Sequence, residues 1–230
     1  SSFTNNSATI GTGGAFLLSG STQYFLASFN DSTFTSNTAG NEGGAIFGMD
    51  WVNMTVNNST FTSNMAKNSG GAININGDNS IATITNSTFV TNISANSTGW
   101  GYGGALRCTS PTSLSITVSN STFSQNTSVF GGAVASEGCP VAISGSTFDQ
   151  NSADNAGGGL WVAPLGVQSD PSVLVLFVAD TQFTSNQAKF EGGGMRSSVV
   201  TQNLTDVMFD QNTASIGGGI YTLASITYLN

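Results

Sequence analysis

The sequence predicts an all-β fold, a parallel β-helix (β-solenoid) of about eight coils, and three observations predict it. A phrase of the form Phe-x-x-Asn-x-(Ala/Ser), followed after a few residues by Gly-Gly-(Ala/Gly) and an apolar residue, recurs eight times at steps of 25–35 residues. A fixed phrase at such a period marks a repeat architecture in which each unit stacks on its neighbours. Upstream of each Phe the apolar residues alternate with period two, the signature of a strand with one buried face. The Gly-Gly pair marks a tight bend or a close approach of two backbones. The reading is one β-helix over residues 1–230, uncapped at both ends, as in one segment of a longer rod.

The elements follow in order along one coil. Five residues before Phe stand Phe29, Val56, Ile84, Val118, Ile143, Val178 and Leu204, with further inward candidates at minus seven (Met54, Ile116, Val141, Leu176). The column three before Phe holds Asp31, Asn58, Asn86, Asn120, Gly145, Asp180 and Asp206, residues that tolerate the left-handed conformation and so mark a corner. The core column is Phe3, Phe34, Phe61, Phe89, Phe123, Phe148, Phe183 and Phe209. Three residues later come Asn6, Asn37, Asn64, Asn92, Asn126, Asn151, Asn186 and Asn212, read as a buried ladder whose amides bond from coil to coil. A small residue (Ala or Ser) follows, then Gly-Gly, then the next inward apolar residue. Each coil thus reads as three short strands separated by corners.

Composition narrows the function classes. Apolar residues make up 38% of the chain and Phe alone contributes 15, enough for a continuous core. Charged residues are 7%, against roughly 25% in an average domain, so the surface is built of Ser, Thr, Asn and Gly. A net charge of −8 with four basic residues (Lys67, Arg107, Lys189, Arg196) lacks the basic footprint that nucleic acid requires. No stretch reads as a transmembrane helix; the longest apolar run is the strand-like 173–179. The chain begins at Ser1 in mid-coil, as expected of a processed protein or of a piece of something longer. Cys108 and Cys139 follow the Gly-Gly strands of adjacent coils, which lie about 4.8 Å apart, so a disulfide is expected, and with it an extracellular setting.

Eleven Asn-x-(Ser/Thr) sequons occur. Asn58, Asn86 and Asn120 belong to the corner column, and Asn92 and Asn126 to the buried Asn ladder, so these read as structural. Asn30, Asn53, Asn57 and Asn203 point outward by alternation and Asn96 lies in an inserted loop; these five are the expected N-glycosylation sites. Variation collects in the stretch 14–29, in the insertion before Gly103 and in the loop 163–172. Trp51, Trp100 and Trp161 sit in or beside such segments, where packing against the coil is expected ahead of a sugar-facing role.

Neither end looks capped. Placing Asn230 before Ser1 puts Tyr228 five residues before Phe3 and closes one more coil, which predicts head-to-tail stacking of a homopolymer or, equally, one continuous chain. Eight coils at about 4.8 Å give an axial repeat of roughly 38 Å.

Catalytic signals are sparse. The chain has no His, which removes Ser-His-Asp and Cys-His chemistry and the commonest metal ligand. Asp149 and Asp210, the acids following their Phe, stand two coils apart, and the four basic residues do not share one column. No catalytic, metal or cofactor site is expected. Thr33, Thr35, Thr60 and Thr62 form a Thr-x-Thr face that passes into Val90, Ser124, Asp149 and Met208, and read as ordinary β-branched residues on a pleated surface.

Repeated Gly-Gly-Ala-(Ile/Leu/Val) with Phe-x-x-Asn resembles the polymorphic outer-membrane protein repeats of bacterial surface proteins. The motif is intact at residues 43–46, 70–73, 103–106 and 131–134, and departs to GGAF in the first coil and to GGGL, GGGM and GGGI in the last three. The resemblance implies a right-handed parallel β-helix displayed outside the cell, often in adhesion. The leading expectation is a non-enzymatic extracellular structural glycoprotein that forms a fibre or surface appendage. The alternative is an adhesin-type passenger that binds a host or carbohydrate partner through flank loops. A polysaccharide-acting enzyme stands third.

Overall fold

The computed structural model describes residues 1–21, 23–95, 99–110, 115–166, 170 and 174–229. Thirty-one short strands form four parallel sheets, and every named strand pairs with its counterpart one coil away. One full coil runs Thr33–Thr35, Thr38–Ala39, Ile46–Met49 and Val52–Asn57. We number the sheets in that order. Sheets 1, 3 and 4 each hold eight strands and sheet 2 holds seven. The chain is therefore a β-solenoid of about eight turns.

The coil has four strands where three were expected. The additional strand, such as Met65–Ala66, is two residues long in five of its seven coils, too short for alternation to reveal. It is separated from the Phe strand by a second corner at the residue two after each Phe. Asn5, Ser36, Ser63, Thr91, Gln125, Gln150, Ser185 and Gln211 all have φ between 53° and 57° there. Only one of these eight is an Asn, so residue type conceals the bend that position reveals. The corner three before Phe is also left-handed, with φ of 46–54° from Asp31 to Asp206.

Register is strict. Phe3 pairs with Phe34, Phe34 with Phe61, and so on to Phe209. Six of these Phe, from Phe34 to Phe183, are completely buried. Their rings stack with centroids 4.5–4.9 Å apart and 3–13° between planes. Inward residues of sheets 3 and 4, including Ile46, Ile73, Leu106, Met54, Val56 and Ile84, complete one continuous core. The apolar column of sheet 4 runs to Leu204 and then Leu229, because Leu204 pairs with Leu229 and Asn203 with Tyr228. Tyr228 thus faces outward, and Leu229 takes the column five before Phe. A direct joint from Asn230 to Ser1 would be one residue short.

The two glycines of each pair serve different ends. The first has φ of 60–68° in all eight coils, a conformation that costs other residues roughly 1–2 kcal/mol. The second keeps room for the next coil: a Cβ on Gly44 would run into the carbonyl oxygen of Gly71 and the backbone of Met65. In the last three coils Gly replaces the following Ala, and a Cβ at Gly159 would come within 2.9 Å of the Phe183 ring.

Candidate functional site: ladders, a charged flank and a sequon face

The Asn column forms a fully partnered ladder. Asn64 donates through Nδ2 to the Phe34 carbonyl at 3.0 Å and to Asn92 Oδ1 at 3.0 Å. Its Oδ1 accepts from the Asn37 backbone N–H at 3.0 Å and from Asn37 Nδ2 at 2.9 Å. That uses both donors and both lone pairs of a primary amide, and no other side chain of this size has that inventory. The same pattern repeats at Asn92, Asn126, Asn151 and Asn186. Asn92 and Asn126 are completely buried, which closes their sequons to a glycan on the folded chain.

A second ladder runs two residues before Phe, and sequence reasoning overlooked it. The backbone N–H of Ser32 donates to Ser59 Oγ, Ser59 to Ser87, Ser87 to Ser121, and Ser121 to Ser146, at 3.1–3.2 Å. Each hydroxyl in turn donates to the carbonyl two residues earlier, as Ser87 does to Thr85 at 2.7 Å. The signal was present as a Ser or Thr in seven of eight positions, hidden by the chain's general richness in both residues.

Cys108 and Cys139 are joined, with Cα atoms 6.3 Å apart, and both are completely buried. The bond ties coil four to coil five across 31 residues. Loop-closure entropy puts its contribution at about 3–4 kcal/mol. The double variant Cys108→Ser, Cys139→Ser is expected to lose that much stability in urea titration; a loss below 1 kcal/mol would show that the stack alone fixes these coils.

The chain's two Arg and three Glu gather on one flank, where sheet 3 meets the residues just before Gly-Gly. The outward column of sheet 3 passes through Asn74, Arg107, Ala135, Trp161 and Arg196, so the two arginines share a column. Lys67 and Lys189 share another, each six residues after its Phe. Arg107 reaches Glu137 at 2.9 Å and Glu42 at 3.3 Å, and lies 4.9 Å over the Tyr102 ring. Arg196 pairs with Glu191 at 3.3 Å and lies 5.9 Å from the Trp161 ring. Tyr102, Phe130 and Trp161 pack with Ala135 and Ala156 into a small cluster outside the main core. Trp161 is buried there, whereas Trp100 is 60% exposed and stacks on Phe130. Trp51 packs edge-on against Tyr24. This flank reads as an ionic and aromatic clasp across coils two to seven.

Burial pushes the Glu42 carboxyl above its ordinary value, against the opposing pull of Arg107. The folded state therefore holds that proton more tightly than the unfolded chain does. Stability contributed at Glu42 rises as pH falls through its raised folded value, and is fully present below the ordinary value. Glu42→Gln is expected to be at least as stable as the parent at pH 7, by a margin that shrinks on acidification. A margin that grows in acid, read from urea midpoints, would reverse that sign.

The expected glycosylation positions in the described residues lie on one face. Asn30, Asn53, Asn57 and Asn203 all belong to sheet 4 and pair outward across it, Asn30 with Asn57 and Asn203 with Phe177 and Tyr228. Asn96 lies outside the described residues. Asp149 and Asp210 occupy one outward column of sheet 1 with Thr184 between them. The neighbouring column is more regular than the Thr-x-Thr reading allowed, with Thr33, Thr60, Thr88, Thr122 and Thr147 on five successive coils. Among the described residues no group of three or more Cys, Asp or Glu is placed to hold a metal ion.

Comparison with known families meets this geometry directly. The model of the Chlamydia polymorphic membrane protein (Chlamydia_PMP) repeat matches residues 31–49, 58–76 and 206–223. Three segments of the chain are similar to this repeat. Each matched segment starts at the left-handed corner three before Phe and ends six residues after the first Gly of the pair. The matched segments thus cover the part of the coil from sheet 1 to sheet 3 and leave sheet 4 unmatched. The matched segments are consistent with a surface-displayed β-helical protein. No curated protein and no solved structure gave a significant match.

Proposed function

We propose that the protein is an extracellular structural glycoprotein: a β-helical rod that builds a fibre or surface appendage by end-to-end stacking of coils. The observation that carries this reading is the coil-to-coil contact itself. It recurs seven times in sheet 1 with no change of register, so every coil presents to the next the surface it receives from the one before. At the last coil Leu204, Val207, Phe209, Ile220 and Leu229 line an open apolar cavity of about 400 Å3. A following coil with a Phe3-type ring and an Asn6-type amide fits that surface as Phe209 and Asn212 fit their own predecessors. The strand Ile226–Leu229 would lie beside a strand such as Phe25–Asn30 in the next unit. The one-residue shortfall at the joint falls at the left-handed corner, where a break between two chains interrupts no strand.

N-glycans at Asn30, Asn53, Asn57 and Asn203 would coat the sheet 4 side and solubilise a surface poor in charge, with Asn96 as a fifth acceptor. Cryo-EM of native material followed by a denaturing gel tests the assembly. A rod with a repeat of roughly 38 Å that dissolves to a 23.4 kDa polypeptide, before any added glycan mass, is the expected result. The same rod running as one very large band would mean that adjoining polypeptide supplies the next coil. Short isolated particles would remove the fibre reading.

A further inference from the structure

The outer face of sheet 2 contains a shallow open groove that neither ladder nor clasp uses. Over coils six to eight it encloses about 490 Å3, within the range of small-ligand sites, about 300–1,000 Å3. Its floor is the small-residue column, Ala153, Ala188 and Ala214. Its walls carry the exposed side chains of Asp154, Gln187, Lys189, Thr213 and Ser215. At the rim stands Phe190, 46% exposed, with the Lys189 ammonium 5.1 Å from its ring centre.

We propose that this groove binds a glycan chain. Two features select that ligand over an extended peptide. The backbone of sheet 2 is already committed: Gln187 N–H donates to Asn151 at 2.8 Å, Ala188 to Thr213 at 2.9 Å and Lys189 to Ala153 at 3.1 Å. Within coils six and seven no strand edge is free for a peptide to join, so an occupant there must be held by side chains. Those side chains are a carboxylate, an amide, an ammonium and two hydroxyls set on three successive coils. Such directional groups match the hydroxyls of a sugar, and an exposed aromatic face at the rim matches its C–H face. The Ala153 and Ala188 side chains turn inward, so backbone alone floors the groove there and a ring can approach the sheet closely. The site lies within single-chain coils and does not depend on end-to-end assembly.

The test uses the whole chain made in a non-glycosylating host, so that no glycan of its own competes. Cellotriose, chitotriose and trigalacturonic acid are titrated separately, with affinity read by calorimetry and by amide shifts. At least one trisaccharide is expected to bind, shifting Gln187, Lys189 and Thr213. Asp154→Ala and Gln187→Ala should each weaken it about tenfold, the loss of one hydrogen bond to a sugar hydroxyl. Both side chains are exposed, so melting temperature should not move, and Thr117→Ala on sheet 4 should leave affinity unchanged. Failure of all three sugars to bind at about 10 mM, a Kd too weak to reflect a built site, would overturn the proposal. So would binding that survives Asp154→Ala and Gln187→Ala together.

Discussion

Gly71→Ala is expected to prevent folding or to cost at least about 4 kcal/mol, the range reserved for steric failure in a packed interior. The new Cβ would run into the Gly104 carbonyl oxygen and lie about as close to the Ile93 backbone, and neither is the end of a flexible side chain. Relief requires coils three and four to move apart. Separation would stretch the hydrogen bonds of Gly71 N–H to Gly103 at 3.1 Å and Ala72 N–H to Ala105 at 3.0 Å. The effect should be local in origin and global in outcome, because the stack is continuous on both sides. Gly99→Ala, with nothing near its Cβ, is the matched control: its φ of 83° carries strain but no collision. Circular dichroism and urea titration of the pair decide the matter. Equal stability of Gly71→Ala and the parent would mean that the second Gly is not needed for coil spacing.

Asn92→Ala is expected to cost about 3–9 kcal/mol, taking roughly 1–3 kcal/mol for each buried polar group left unpaired. Three groups lose their partner: the Asn64 backbone N–H, one Asn64 Nδ2 hydrogen and the Phe61 carbonyl. Water cannot reach them, since Asn64 and Asn92 are completely buried. Asn92→Asp preserves shape but turns two donors into acceptors aimed at the Phe61 carbonyl and Asn126 Oδ1, so it should be no better than Ala near neutral pH. A loss below 1 kcal/mol for both variants would show that the ladder is a passenger of the sheets.

The repeat, the Phe and Asn columns and the left-handed corner before Phe were legible in the sequence because each position restricts residue type. A stacked ring demands Phe, a fourfold amide demands Asn, and a left-handed turn favours Asn, Asp or Gly. The second corner was not legible, since Ser, Thr and Gln hold it at φ near 55° in most coils and nothing in their chemistry announces it. Nor was the two-residue strand that the corner creates. The ionic clasp escaped for another reason. Arg107 reaches Glu42 across 65 residues, and that distance collapses only when the coil length is known position by position. The sheet 2 groove depends likewise on which residues of three coils stand side by side.

The amide ladder also gives the rod a direction. Each Asn from Asn6 to Asn186 hands one Nδ2 hydrogen and its backbone N–H to the following coil, and each from Asn37 to Asn212 receives on Oδ1 from the preceding one. The serine ladder points the same way. Aligned amides polarise one another, so at the Asn column the two faces perpendicular to the axis differ: the leading one offers a backbone N–H and an amide hydrogen, the trailing one an Oδ1 and the second amide hydrogen. Two leading faces, or two trailing faces, cannot mate without setting like against like. Any extension by further coils is consequently vectorial, with distinguishable growing ends, and a mimic of one terminal coil would arrest elongation at one end while leaving the other free.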